Sequence, residues 1–146
     1  MKHPNMVRKS KNLNGMSIQD AFKFFPSGYR FTTKLRRELW RSHDKKCAYC
    51  GCEIETHIDM HIDHFEPKSK ITSETIENLI CSCAPCNLTK RDRDLEDFRF
   101  CLAVKKSVLN GVVMPNIVKK IMAVGVAMPI ELKPFYFEEI IRLGDE

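Results

Sequence analysis

Fourteen residues from His57 to Lys70, HIDMHIDHFEPKSK, hold three of the chain's five histidines, together with Asp59, Asp63 and Pro67. Imidazoles and carboxylates at this density suit either metal binding or proton transfer. On both sides lie cysteine pairs, Cys47-Ala-Tyr-Cys50 and Cys83-Ala-Pro-Cys86. Two residues between paired thiolates let one tight turn present both sulfurs to a single ion, and two such turns complete a tetrahedral four-cysteine zinc site. Either pair alone reads equally well as buried thiols or a redox motif. Both together favour zinc. The pairs stand 32 residues apart, longer than the ribbon spacing of about 15–20, so a substantial insert, with the histidines in it, lies between them. Cys52 and Cys81 are expected to be spare, buried thiols, and Cys101 a core residue on an apolar helical face.

The chain has 146 residues, a length for one domain of ordinary size. It contains no run of eighteen apolar residues and no apolar signal-peptide core after its basic start, so a cytoplasmic location is expected. In a reducing compartment clustered cysteines are more often metal ligands than disulfides. The net charge of +5 is uneven: residues 1–46 carry twelve Lys/Arg against three Asp/Glu, and the remainder twelve against sixteen. A basic N-terminal third points to a polyanion such as nucleic acid. A solvated basic face is the plainer alternative.

The elements that must position these groups follow from pattern. Residues 1–16 read as a poorly ordered polar arm. A helix is expected from Ser17 through Phe25, with Ile18, Ala21, Phe22 and Phe25 on one face and Pro26 and Gly28 stopping it. A second opens near Thr33, with Leu35, Leu39 and Trp40 facing inward and Arg36, Arg37 and Arg41 outward. MHIDHF and NLICSC are strand-like, and three helices follow, from Leu95, Pro115 and the Pro134 region. The division is a basic arm and short helix at 1–30, a metal-rich core at 31–100 and a helical extension at 101–146, all within one α+β domain.

Taken in order, Cys47–Gly51, Ile62-Asp63-His64-Phe65-Glu66-Pro67, Glu77-Asn78-Leu79-Ile80 and Cys83–Asn87 with Lys90 resemble the HNH endonuclease family, the type with a ββα-metal active site and a four-cysteine zinc knuckle. The resemblance covers roughly residues 35–100. It implies a small ββα-metal core flanked by helices, with structural Zn²⁺ on Cys47, Cys50, Cys83 and Cys86. It further implies His64 as general base, Asp63 and Asn87 as ligands of a catalytic divalent ion such as Mg²⁺, and Asn78 as the residue that ties the loop holding the histidine. Asn87 stands where many members carry histidine, and KSKITSETIE replaces a glycine-rich turn. Adjacent strand residues face opposite ways, so Asp63 and His64 need local geometry that the sequence does not display.

Lys90, Arg91, His61, Arg36 and Arg37 are candidate nucleic-acid contacts, with solvated or supporting positions as the alternative for each. Glu66 is weighed as an orienting residue, while His57 and Asp59 read as loop residues. The implied activity is metal-dependent DNA hydrolysis by a bacterial or phage protein, of the kind used in restriction or phage defence. A protein partner or second copy would dock on the C-terminal helices. The competing readings are a zinc-ribbon module that binds nucleic acid without cutting it and a structural zinc domain joining two proteins. Neither needs Asp63, His64, Asn78 and Asn87 as a set.

Overall fold

The computed structural model describes residues 3–9, 13 and 15–146. Among these, six α-helices and two two-stranded antiparallel sheets pack round one aromatic core, an α+β arrangement.

The first helix is shorter than its pattern predicts. Ser17 caps α1 (Ile18–Ala21) through the Asp20 amide, and the chain then straightens into β1 (Phe22–Phe25). Pro26 and Ser27 turn it back into β2 (Gly28–Phe31), paired Phe22 to Phe31 and Phe24 to Tyr29. Aromatics favour cross-strand pairs on a pleated surface. Phe22, Phe24, Tyr29 and Phe31 make such contacts, with ring centroids 5.0–6.2 Å apart. That cross-strand packing overrides the helical spacing.

Helix α2 (Thr33–Ser42) is capped by Thr32 and buries Leu35 and Leu39, while the Trp40 indole donates to the Ile54 carbonyl at 2.8 Å. Left-handed backbone at Asp44 and Lys45 then turns the chain into the first cysteine pair. β3 (His61–His64) and β4 (Leu79–Ser82) pair antiparallel, Asp63 opposite Ile80 and His64 opposite Leu79. β4 runs into α3 (Ala84–Lys90), completing a ββα unit. All four β4 residues are buried, so the unit forms the middle of the molecule.

Three helices follow. α4 (Leu95–Lys105) has Asp94 as its cap and buries Leu95, Phe98, Cys101, Ala103 and Val104. α5 (Pro115–Ala123) buries Val118, and α6 (Tyr136–Gly144) buries Phe137 and Ile141. The start of α6 is tied to the cysteine turn, because the Tyr136 and Phe137 amides donate to Tyr49 and Ala48 carbonyls, each at 2.9 Å. Arg99 forks onto both Glu138 oxygens at 2.8 Å.

The N-terminal arm differs from expectation wherever it is described; Met1, Lys2, Ser10–Asn12 and Asn14 lie outside the described residues. Pro4–Val7 forms a 3₁₀ turn against α6, and Leu13 is buried in the core. The Arg8 guanidinium donates to the Ile76 and Leu79 carbonyls. These backbone acceptors give a polar, basic segment a fixed path that its composition does not suggest.

Candidate active site and metal centre

The cysteine turn is built for close approach. The Gly51 amide donates to the Cys47 carbonyl at 2.9 Å, and Gly51 adopts φ +76. A Cβ there would come within 2.7 Å of the Tyr136 ring, so both backbone and packing demand glycine. Cys83 occupies the cap position of α3 and Cys86 lies in its first turn. The Ala48 amide joins the two halves by donating to the Cys81 carbonyl at 2.9 Å.

As a result the sulfurs of Cys47, Cys50, Cys83 and Cys86 all lie within 4.8 Å of one another, with Cys50 and Cys83 3.7 Å apart. Zn–S bonds of about 2.3 Å in a tetrahedron place sulfurs about 3.8 Å apart, so the donor set fits a zinc ion. Crowding of the thiols points the same way. The Cys50 thiol is held far below its ordinary value by the Cys47, Cys83 and Cys86 thiols, while Cys83 and Cys86 are pushed up. The Cys47 thiol is lowered as well, and a bound cation would draw all four sulfurs to the thiolate form.

Cys81 is buried in β4, with its thiol pushed up by burial. Cys52 departs from expectation because it is exposed. It follows Gly51 out of the turn, on the solvent side of the cluster. Cys101 is buried on α4.

The second site is a groove of about 250 Å³ between β3 and α3. Asp63, His64, Asn87 and Arg91 line it with Pro67 and Lys68. Strand alternation sends the Asp63 carboxylate inward. It accepts the Tyr49 hydroxyl at 2.5 Å and pairs with the Lys90 ammonium at 3.1 Å. Burial pushes the Asp63 carboxyl up, and Lys90 and the Tyr49 hydrogen bond pull against it. Burial, with the neighbouring carboxylate, holds the Tyr49 phenol well above its usual range.

Lys90 is fully buried, the last residue of α3, and also donates to the His64 carbonyl at 2.7 Å. Its assignment as a phosphate contact is therefore corrected: the ammonium is committed to Asp63 and the β3 backbone. Asp63 Oδ1 receives only a 3.4 Å contact from Lys90. Asp63 and Asn87 both line the groove, and a carboxylate and an amide oxygen are the hard donors that a divalent ion of the Mg²⁺ type takes.

The other face of β3 carries His64. Its Nε2 lies 2.9 Å from Glu74, whose second oxygen accepts the Tyr29 hydroxyl at 2.6 Å. The Asn78 side chain accepts the Glu66 amide at 2.8 Å and donates to the Glu66 carbonyl at 3.0 Å, and the Asn78 carbonyl accepts the Phe65 amide at 2.8 Å. Asn78 thus ties the chain directly after His64. Glu66 takes part through its backbone.

His61 is exposed on β3, its Nδ1 3.4 Å from the Asn87 side-chain nitrogen. Arg91 follows α3 with φ +48, exposed at the groove edge. Arg37 is exposed on α2, but Arg36 turns back to donate to the Ile58 and Met60 carbonyls, so its guanidinium holds the loop before β3 rather than standing free. His57 rests against Trp40.

Three partners escaped the sequence: Tyr49, Glu74 and Tyr29. Tyr49 looked like spacing between ligands, and the other two lie far from His64 along the chain.

Residues 47–93 match the model of the HNH endonuclease family. No curated protein matches the chain. Among solved structures, the Type II-C Cas9 enzyme from Actinomyces naeslundii is similar at 24% identity with a TM-score of 0.41, over 45% of this chain and 8% of that one.

Proposed function

We propose that this chain, of HNH endonuclease type across residues 47–93, is a metal-dependent endonuclease that hydrolyses phosphodiester bonds in DNA. The observation that carries the reading is the groove lined by Asp63, His64 and Asn87 on a ββα unit whose helix also carries two of the four clustered cysteines.

In this reading His64 accepts the proton of the attacking water, and Asn78 fixes the loop behind it. Asp63 and Asn87 hold the divalent ion, which when bound neutralises charge on the scissile phosphate and its leaving oxygen. Tyr49 and Lys90 offset the burial of Asp63 and hold it in place. Cys47, Cys50, Cys83 and Cys86 hold zinc as a structural pin between the knuckle and α3. Arg91, His61 and Arg37 are the candidate DNA contacts with side chains at the surface or groove edge; Arg36 contributes through the loop it holds.

We retain the division at residues 30 and 100 as a proposal, with the last segment completing the core through Phe135, Phe137 and Ile141. Exposed Val112, Met114, Ile117 and Met122 give that segment an apolar surface for a protein partner or second copy. No helix among the described residues is long and apolar enough to cross a membrane. A cytoplasmic bacterial or phage protein of restriction or phage defence fits the reading.

Supercoiled-plasmid cleavage with Mg²⁺, Mn²⁺ or EDTA tests it. Wild type should nick or linearise plasmid only with metal, and His64→Ala should not. Equal cutting by both sinks the assignment of His64. DNA binding without cutting under every condition would favour the zinc-ribbon binding module.

A further inference from the structure

We propose that Glu74, braced by Tyr29, is the positioning residue for His64: it accepts a hydrogen bond from Nε2–H and leaves Nδ1 as the base. This rests on the nuclease reading above. Glu74 Oε2 lies 2.9 Å from Nε2, Tyr29 donates to Oε1 at 2.6 Å, and the Tyr29 oxygen is 3.4 Å from Nε2. The His64 and Glu74 side chains are only 15% and 18% exposed, so the pair is sheltered from water without being sealed.

A neutral imidazole carries its proton on one nitrogen, and its partner decides which. A carboxylate is acceptor-only, so Glu74 selects the Nε2–H form. The water proton then passes to Nδ1, and the hydroxide's electron pair forms the new P–O bond. The old P–O pair leaves with the departing oxygen, which takes a proton from solvent. The imidazolium that remains lies against a fixed negative charge, as in the acid–histidine pairs of hydrolases.

Tyr29 is suited to its part. Burial, then Glu74, pushes its phenol above the ordinary range, so it stays a donor. It comes from β2, outside residues 47–93, and Lys68 sits 4.4 Å over its ring. The hairpin thus gives the site a group that the matched segment lacks. Of the other charged groups near the histidine, Asp63 and Lys90 belong to the opposite side of β3, with Lys90 reaching the His64 carbonyl, while Lys68, Arg91 and Asp92 line the groove with His64.

Nitrogen-15 spectra of histidine-labelled protein read the tautomer directly, with or without cleavage. Wild type should show His64 in the Nε2–H form. Glu74→Ala should mix the tautomers and slow plasmid cleavage about 10- to 100-fold, the usual loss for an orienting partner. Glu74→Gln keeps an acceptor oxygen without the charge. It should preserve the tautomer and recover part of kcat. Tyr29→Phe should lower kcat by a smaller factor with KM unchanged.

An Nδ1–H form in wild type, or an unchanged tautomer in Glu74→Ala, overturns the proposal. So does cleavage by Glu74→Ala as fast as wild type or faster. Should Glu74→Ala fail to fold, Tyr29→Phe decides: kcat equal to wild type in that variant overturns the proposal. If wild type cuts nothing, the nuclease reading fails, while the tautomer still decides the clamp.

Discussion

Asp63 and His64 are neighbours on β3, yet they meet opposite surroundings. Asp63 faces a dry interior where Tyr49, fully buried between Phe98, Phe135 and Phe137, and the fully buried Lys90 balance its charge. His64 faces a sheltered rim where Glu74 and Tyr29 hold its partly exposed ring. The contrast follows from the two-residue period of a strand. One side has access to the core and supplies a rigid carboxylate. The other has access to solvent and carries the imidazole. A mobile carboxylate would hold a metal loosely, and a fully buried histidine would stay neutral without a path for its proton.

The difference can be broken most forcefully from the dry side. Lys90→Met should strand an unpaired buried carboxylate and cost about 3–5 kcal/mol, read by urea unfolding. Adding Asp63→Asn should recover a large share. Strictly additive losses would mean that the pair is not coupled.

Next in size, Tyr49→Phe keeps the aromatic packing and removes one donor to a charged acceptor, for a loss of about 1.5–3 kcal/mol. A change under about 0.5 kcal/mol would show that water replaces the hydroxyl, and so that this face is wetter than its burial implies.

A second histidine sharpens the comparison. His43 is buried, and its Nε2 has no partner among the described residues. Burial, then Arg8, lowers its pKa to about 3. The folded state therefore binds fewer protons than the unfolded state below about 6.5, and stability falls as pH drops from there towards 3. Between pH 7 and 5 the loss should be about 2 kcal/mol, abolished in His43→Gln. An unchanged pH slope in that variant would place the acid sensitivity elsewhere.

The smallest effect belongs to the rim. Asn78→Ala loses two hydrogen bonds to a half-exposed loop, about 1 kcal/mol, with a larger fall in kcat than in thermal stability. A purely thermal effect would reduce Asn78 to a structural tie.

Legibility followed distance along the chain. The cysteine turns declare themselves through local spacing, and their convergence needs only that β4 lead into α3. β3, β4, α2 and the last three helices were readable because their periodicity and caps agree with burial. β1 was not, since Phe22, Phe24 and Phe25 suit either period and the decision fell to cross-strand partners Tyr29 and Phe31. Lys90 looked like a surface charge at the end of a helix. Nothing local reveals that Asp63 lies beneath it.

By itself the sequence determined the four-cysteine cluster, the ββα order and the adjacency of an acid and a histidine, because these depend on residue type and short spacing. Tertiary structure alone decided which of that pair is buried, that Lys90 serves the acid instead of a phosphate, and that Tyr29 and Glu74 reach His64 from separate segments. Those outcomes depend on which surfaces exclude water, and exclusion of water is a property of packed elements rather than of any one stretch of chain.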